Sequence, residues 1–324
     1  MRVGARFTKA LPGWRRSVAS ACATPDSHVI ETAVGPVEYA VTGSGPAVLV
    51  IHGCPGGYDQ GLLAAKLAGS QGFTFISPSR PGYLRTPLEV GLTPEAQADA
   101  YAALLDSLGI LQAAVIGISG GGPSALQFAL RHPQRCWGLV TVCAIARRLS
   151  ENEIARCRSL ARRIACTADL GLELARAAIL LARRKARRLL ARLGGKADAR
   201  SGAERGDNFE ALLSMIRGFG MISLRKIGLE NDIAQLTSMP DYELEKIKTP
   251  TLIMHGSADE LVPFSHARLL ASRIGNAVLV KIKRGGHLFF ATHKEKVVPT
   301  IVEFLERGAR AAGQKDSTKT LSLA

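Results

Sequence analysis

Two kinds of hydrophobic pattern divide this chain. Residues 29–33 and 37–41, joined by Gly35-Pro36, form two short strands of a hairpin. Residues 47–51, 73–77, 113–116, 137–144, 251–255 and 277–282 are nearly continuous apolar runs. Such runs suit strands covered on both faces of a sheet. Helical periods lie between them, at 62–67, 94–108 and 123–130, then from about Phe264 and again around 297–305. Thr93 caps the helix at 94–108, with Pro94 in its first position and Glu95 near the positive end of its dipole. Ala98, Tyr101, Leu104, Leu105 and Leu108 share one face of it. Strands alternating with helices at this spacing predict an α/β fold on a mostly parallel, doubly wound sheet.

The alternation stops at Arg147. Residues 147–236 show a helical pattern without apolar strands, clearest at 174–193, where Ile179, Ala182, Ala186, Leu189 and Leu193 recur at helical spacing. Arginines and lysines occupy much of the remaining surface of that segment, and Gly194-Gly195 end it. A polar connection at 194–207 and a second helical stretch at 209–222 follow. The predicted organisation is therefore an N-terminal extension at 1–25, a core formed by 26–146 and 237–308, a helical lobe at 147–236, and a polar tail at 309–324. No internal repeat is visible.

Charge sharpens this division. The net charge of +15 resides in two places: residues 1–25 contribute +5 and residues 147–205 contribute +10, which leaves the rest balanced. A basic surface confined to a leader and a lobe argues against nucleic acid as the partner. The acid-free 1–25 segment is compatible with a mitochondrial-type leader or with a disordered extension, and it lacks the apolar centre of a secretory signal. No apolar run reaches the roughly 18 residues of a membrane span; a cytoplasmic protein is expected. The basic lobe could rest weakly on an anionic membrane, although charge runs are more often solvated faces. The six cysteines show neither metal-ligand spacing nor a disulfide framework, and no metal or organic cofactor is expected.

Candidate chemistry converges on Gly117-Ile118-Ser119-Gly120-Gly121-Gly122. The stretch follows an apolar strand and precedes a helix with proline in its first turn, the setting of a nucleophile elbow. A glycine-rich linking turn would fit those six residues equally well. Two further residues favour catalysis. Asp259 closes Gly-Ser-Ala-Asp after the apolar run 251–255, and His287 follows Gly285-Gly286 after the run 277–282. In a parallel sheet all three project at the carboxyl edge, where such folds place their sites. A serine hydroxyl needs an imidazole to take its proton, and a carboxylate to hold that imidazole in the right tautomer. His255, His266 and His293 compete with His287, and Glu260 and Asp241 with Asp259. His255 belongs to a strand and should point into the fold, while His266 and His293 fall on helices. An oxyanion donor is expected from the backbone of Gly120, after the nucleophile, and a second from Cys54 in His52-Gly53-Cys54-Pro55-Gly56-Gly57, because Pro55 has no N–H.

Taken together, the His52-Gly53 loop, Arg80-Pro81-Gly82-Tyr83, the Ser119 elbow, Gly256-Ser257-Ala258-Asp259 and Gly286-His287 resemble the α/β-hydrolase superfamily, over about residues 29–305. The resemblance implies an eight-stranded sheet with a helical cap inserted after strand six. It implies a serine hydrolase acting on a small carboxylic ester or related acyl substrate. Serine at the nucleophile position counts against the relatives that use aspartate there. The His-Gly-x-Pro-Gly-Gly loop is similar to that of proline iminopeptidases, but Ile118 and Gly120 flank Ser119 where those enzymes usually carry a bulky aromatic. A non-catalytic small-molecule receptor on the same fold is the alternative from another class. Leu84 stands where relatives commonly have another glycine.

Overall fold

The computed structural model describes residues 27–67, 72–168 and 222–313. Eight strands form one sheet: β1 (His28–Thr32), β2 (Gly35–Gly43), β3 (Ala47–Ile51), β4 (Thr74–Pro78), β5 (Ala113–Ile118), β6 (Cys136–Val142), β7 (Thr251–Gly256) and β8 (Ala277–Ile282). Their order is β1-β2-β4-β3-β5-β6-β7-β8. β1, β2 and β4 pair antiparallel, and every pair from β4–β3 to β7–β8 is parallel. The apolar runs form central strands because both faces are covered. Leu49 and Ile51 face a core shared with α2 (Pro94–Ser107), α3 (Gly122–Arg131) and α6 (Ser265–Arg273). Val48 and Val50 face the opposite core, shared with α1 (Tyr58–Leu67) and α8 (Lys294–Ala311).

Two expected boundaries move. α1 begins at Tyr58, four residues before the expected start, with Asp59 in its first turn and Tyr58 packed beside Leu62 and Ala40. α8 runs to Ala311 rather than giving way to a tail at 309, because buried Ala309 still packs on the core. A four-residue α7 (Phe289–Thr292) precedes it.

Between β6 and β7 the described residues hold α4 (Glu151–Ala168) and α5 (Lys226–Ser238). Ser150 and Glu153 start α4 as a capping box: the Glu153 carboxylate accepts from Ser150 N–H at 2.7 Å, and Glu153 N–H donates to Ser150 Oγ at 3.4 Å. α5 and the 3-10 turn before it (Ile222–Arg225) are stitched to the loop after β4, where Gly228 N–H donates to Gly82 C=O at 2.8 Å and Leu84 N–H to Leu224 C=O at 2.9 Å. The expected basic helix at 174–193 and the connection at 194–207 lie outside the described residues, as does the 1–25 extension. Among the described residues no helix is long and apolar enough to cross a membrane.

Candidate active site

Ser119 sits where β5 turns sharply into a single 3-10 turn and then α3. Its φ of 50° is in the left-handed region, which costs a non-glycine residue roughly 1–2 kcal/mol. The flanking glycines make room for that turn. A methyl group at Gly117 would stand 2.5 Å from the Cβ of Ala125, and one at Gly121 would stand 2.5 Å from the carbonyl oxygen of His52.

The three residues singled out by their place after a strand come together. His287 Nε2 lies 3.0 Å from Ser119 Oγ, and His287 Nδ1 lies 2.8 Å from Asp259 Oδ2. The second carboxylate oxygen of Asp259 accepts from the N–H groups of Leu261 and Val262, both at 2.9 Å. Burial would push the Asp259 carboxyl upward, but His287 and His255 outweigh it and hold the group well below the usual carboxylate range. Burial likewise pulls His287 down, while the Asp259 carboxylate and Cys143 more than reverse this and raise its pKa. An ionised Asp259 therefore accepts from Nδ1–H and leaves Nε2 free to accept the Ser119 proton.

The competitors lie elsewhere or serve other ends. His255, at the end of β7, is buried and donates from Nε2 to Val262 C=O at 2.8 Å, behind Asp259. His266 is buried on α6, where Nδ1 accepts from Ala146 N–H at 3.1 Å. His293 lies between α7 and α8, bonded to Thr292 Oγ1 at 3.0 Å. Asp241 pairs with Arg273, and Glu260 offers its backbone carbonyl to Arg156.

Cys54 approaches the elbow from the loop after β3. A methyl group at Gly120 would stand 3.5 Å from the backbone nitrogen of Cys54 and 2.7 Å from its sulfur. Burial, reinforced by Asp232, pushes the Cys54 thiol well above its ordinary value, so the sulfur is protonated and a poor nucleophile. The loop itself is clamped. Gln60 accepts from Gly53 N–H at 2.9 Å and donates to Pro55 C=O at 3.1 Å.

A cavity open to solvent lies above Ser119 and His287. Ile145, Leu149, Leu261 and Val262 line it. Ile154 and Cys157 of α4 and Leu229, Ile233 and Leu236 of α5 complete the apolar lining. Among the described residues no carboxylate, lysine or arginine lines it.

Comparison with known proteins agrees with this fold. The model of the alpha/beta hydrolase family matches residues 48–300. The chain belongs to that family. This hydrolase is 30% identical over 270 residues to the uncharacterized hydrolase YcgS of Bacillus subtilis, covering 79% of the chain and 89% of that relative. It is similar in structure to an alpha/beta hydrolase fold protein from Nakamurella multipartita, with a TM-score of 0.66 and 31% identity, over 87% of this chain and all of that one. It also resembles a thermophilic esterase from Thermogutta terrifontis, with a TM-score of 0.65 and 26% identity, over 88% of this chain and 99% of that one.

Several residues near the site carried no signal in the sequence pattern of the hydrolase. Buried Asp232 on α5 accepts from Arg80 through both guanidinium nitrogens and from Tyr83 Oη at 2.6 Å. Arg225 forms a second buried pair with Asp59 at 2.7 Å. These partners are joined only by the fold. Ser150-Glu151-Asn152-Glu153 carries a local capping-box signal for the start of α4.

Proposed function

We propose that this hydrolase cleaves neutral carboxylic esters through an acyl-enzyme on Ser119. The observation that carries the reading is the unbroken hydrogen-bonded chain from Ser119 Oγ through His287 to Asp259. Ser119 Oγ attacks the ester carbonyl as His287 Nε2 takes its proton, and Asp259 stabilises the imidazolium. The backbone N–H groups of Gly120 and Cys54 receive the developing oxyanion; removing one such donor typically costs about 10²–10³ in rate. Collapse of the tetrahedral intermediate expels the alcohol, protonated by His287. Water, deprotonated by the same imidazole, then releases the acid and restores Ser119.

The apolar walls support an ester whose larger group is uncharged. An aminopeptidase needs an anionic group for the substrate ammonium, and the described walls offer none. The aligned base and acid behind the serine favour an enzyme over a non-catalytic receptor. The resemblance to the Thermogutta esterase is in keeping with ester chemistry.

Labelling with a fluorophosphonate, followed by peptide mapping, tests the reading. The expected adduct is on Ser119, and Ser119→Ala abolishes both adduct and turnover of p-nitrophenyl esters. A wild-type protein that forms no adduct and hydrolyses no ester overturns it.

A further inference from the structure

His52 is buried and does not line the cavity, yet both ring nitrogens are engaged. Nε2 accepts the backbone N–H of Arg80 at 2.9 Å. That fixes the tautomer, because a nitrogen that accepts carries no proton. Nδ1 therefore holds the proton and donates to Gly53 C=O at 2.7 Å. Burial first, and Arg80 second, keep the ring neutral.

The Gly53 carbonyl belongs to the same rigid peptide plane as the Cys54 N–H. In a trans peptide the two point in opposite directions. A donor that holds the carbonyl on the buried side aims the N–H at the other side, toward Gly120 and Ser119. Nothing else in the loop bonds that carbonyl among the described contacts; Gln60 grips the preceding peptide through Gly53 N–H.

The anchor of His52 is itself set from the helical insertion. Arg80, whose N–H seats Nε2, is held by Asp232 and by Gln97 at 3.3 Å. Tyr83, whose hydroxyl also donates to Asp232, packs its ring edge-on to the imidazole with centroids 4.9 Å apart. Asp232 lies on α5, the helix that supplies Leu229, Ile233 and Leu236 to the cavity wall.

We propose that His52 is the positioning residue of the Cys54 oxyanion donor, and that Asp232 on α5 holds His52 in place, so that the seating of α5 on the core is transmitted to the oxyanion hole. This rests on the serine-esterase reading above. It assigns His52 no contact with substrate; the residue acts only through the Gly53–Cys54 peptide.

Two substitutions separate the nitrogens. His52→Asn puts an amide N–H near the place of Nδ1, while His52→Gln puts an acceptor near the place of Nε2 without that donor. Steady-state kinetics on p-nitrophenyl acetate should show kcat of His52→Gln lowered about 30-fold with KM within twofold. That is a partial form of the 10²–10³ loss for removal of a donor. Affinity for a trifluoromethyl ketone, which forms the tetrahedral adduct, should fall by the same factor. His52→Asn should recover most of the loss. Asp232→Asn should show a milder version, about tenfold in kcat and in ketone affinity, and the double variant Asp232→Asn/His52→Gln should lose no more than His52→Gln alone. If the His52 variants fail to fold, the Asp232→Asn result decides on its own.

Unchanged kcat and ketone affinity in folded variants would overturn the proposal. So would equal losses in His52→Asn and His52→Gln, or a loss confined to KM. The wild-type control separates the two readings. Wild-type protein with neither fluorophosphonate adduct nor turnover sinks the esterase reading, whereas active wild-type protein with an indifferent His52→Gln sinks only the positioning role.

Discussion

Arg80 and Asp232 meet as a buried, two-pronged ion pair although 152 positions separate them in the chain. Coulomb attraction is strong in such surroundings, but so is the cost of taking both charges from water. The pair is therefore better understood as a device for seating α5 than as a large net source of stability. Removing one partner strands the other. Asp232→Leu is expected to destabilise the fold by about 3–5 kcal/mol. Replacing both, as Arg80→Met with Asp232→Leu, should recover most of that loss. Urea unfolding of the single and double variants checks this; a double variant no more stable than Asp232→Leu refutes it.

The Asp259–His287 contact governs the pH dependence. His287 must be neutral to take the serine proton, and its pKa is raised chiefly by the Asp259 carboxylate against the pull of burial. The acid limb of kcat/KM should therefore fall above the ordinary imidazole value of about 6.5. Asp259→Asn removes the charge that raises it, so the limb should move to lower pH. The rate should drop by about 10³–10⁴, because the imidazole loses its tautomer control. A pH–rate profile whose limb stays put in Asp259→Asn contradicts this assignment.

Acid stability has a separate origin. His266 is buried, its pKa lowered to about 4 by burial and by Arg147, with Glu153 opposing and His255 adding to the decrease. Because the unfolded imidazole titrates near 6.5, the unfolded state binds the extra proton between those values. The contribution is fully present above pH 6.5 and is lost as pH falls toward 4, by roughly 3 kcal/mol. His52, also held neutral by burial, acts in the same direction. Glu153 follows in a lower window. Its folded pKa is about 2, where burial opposes Arg147 and Ser150, so its contribution is lost as pH falls below the unfolded value near 4.5. His266→Asn retains an acceptor for Ala146 N–H without the titration. Unfolding free energy measured from pH 7 to pH 4 should fall less steeply in that variant, and an identical slope would rule His266 out.

The sheet and the clustering of Ser119, His287 and Asp259 were readable in the sequence because both follow local rules. A continuous apolar run such as residues 47–51 has few fates other than a central strand. A functional group placed just after such a run inherits its position at the sheet edge, as Ser119, Asp259 and His287 do. The rest depends on orientation. Nothing about His52 in the sequence distinguishes a ring that binds substrate from one that turns a peptide beneath it. Asp232 and Arg225 resemble any charged residues on a helical stretch until the fold buries them against Arg80 and Asp59. Pro299 illustrates the opposite conflict: it lies inside α8, where local propensity argues for a break, and the helix persists because Val297, Ile301, Phe304 and Leu305 are buried on one side.

Leu84 shows a departure from the family pattern that the fold absorbs. It adopts a φ of 53°, a conformation glycine takes freely, so the loop keeps its shape at a cost of roughly 1–2 kcal/mol. The side chain offsets part of that cost by packing on Ala40, Tyr58 and Leu62. Leu84→Gly should therefore change stability by less than about 1 kcal/mol, strain relief balancing lost burial. Leu84→Val, β-branched and still strained, should be the less stable of the two by about 1 kcal/mol or more. Denaturant midpoints that rank the two variants the other way would show that packing, not backbone strain, dominates at this position.

The wall contributed by α5 should set the upper limit on substrate size. Ile233 and Leu229 line the cavity, whereas Asp232 on the same helix and Arg225 just before it are committed to the core. A bulkier side chain at 233 thus enters the cavity without disturbing the ion pairs that seat the helix. Ile233→Trp is expected to leave kcat/KM for p-nitrophenyl acetate within twofold of wild type. Each buried methylene contributes about 0.8 kcal/mol, so excluding the last two or three from the cavity should lower kcat/KM for octanoate by about 15- to 60-fold. The loss should appear in KM, since uniform binding of the chain is what is removed. Equal losses on acetate and octanoate would instead mean that the substitution has shifted α5 itself.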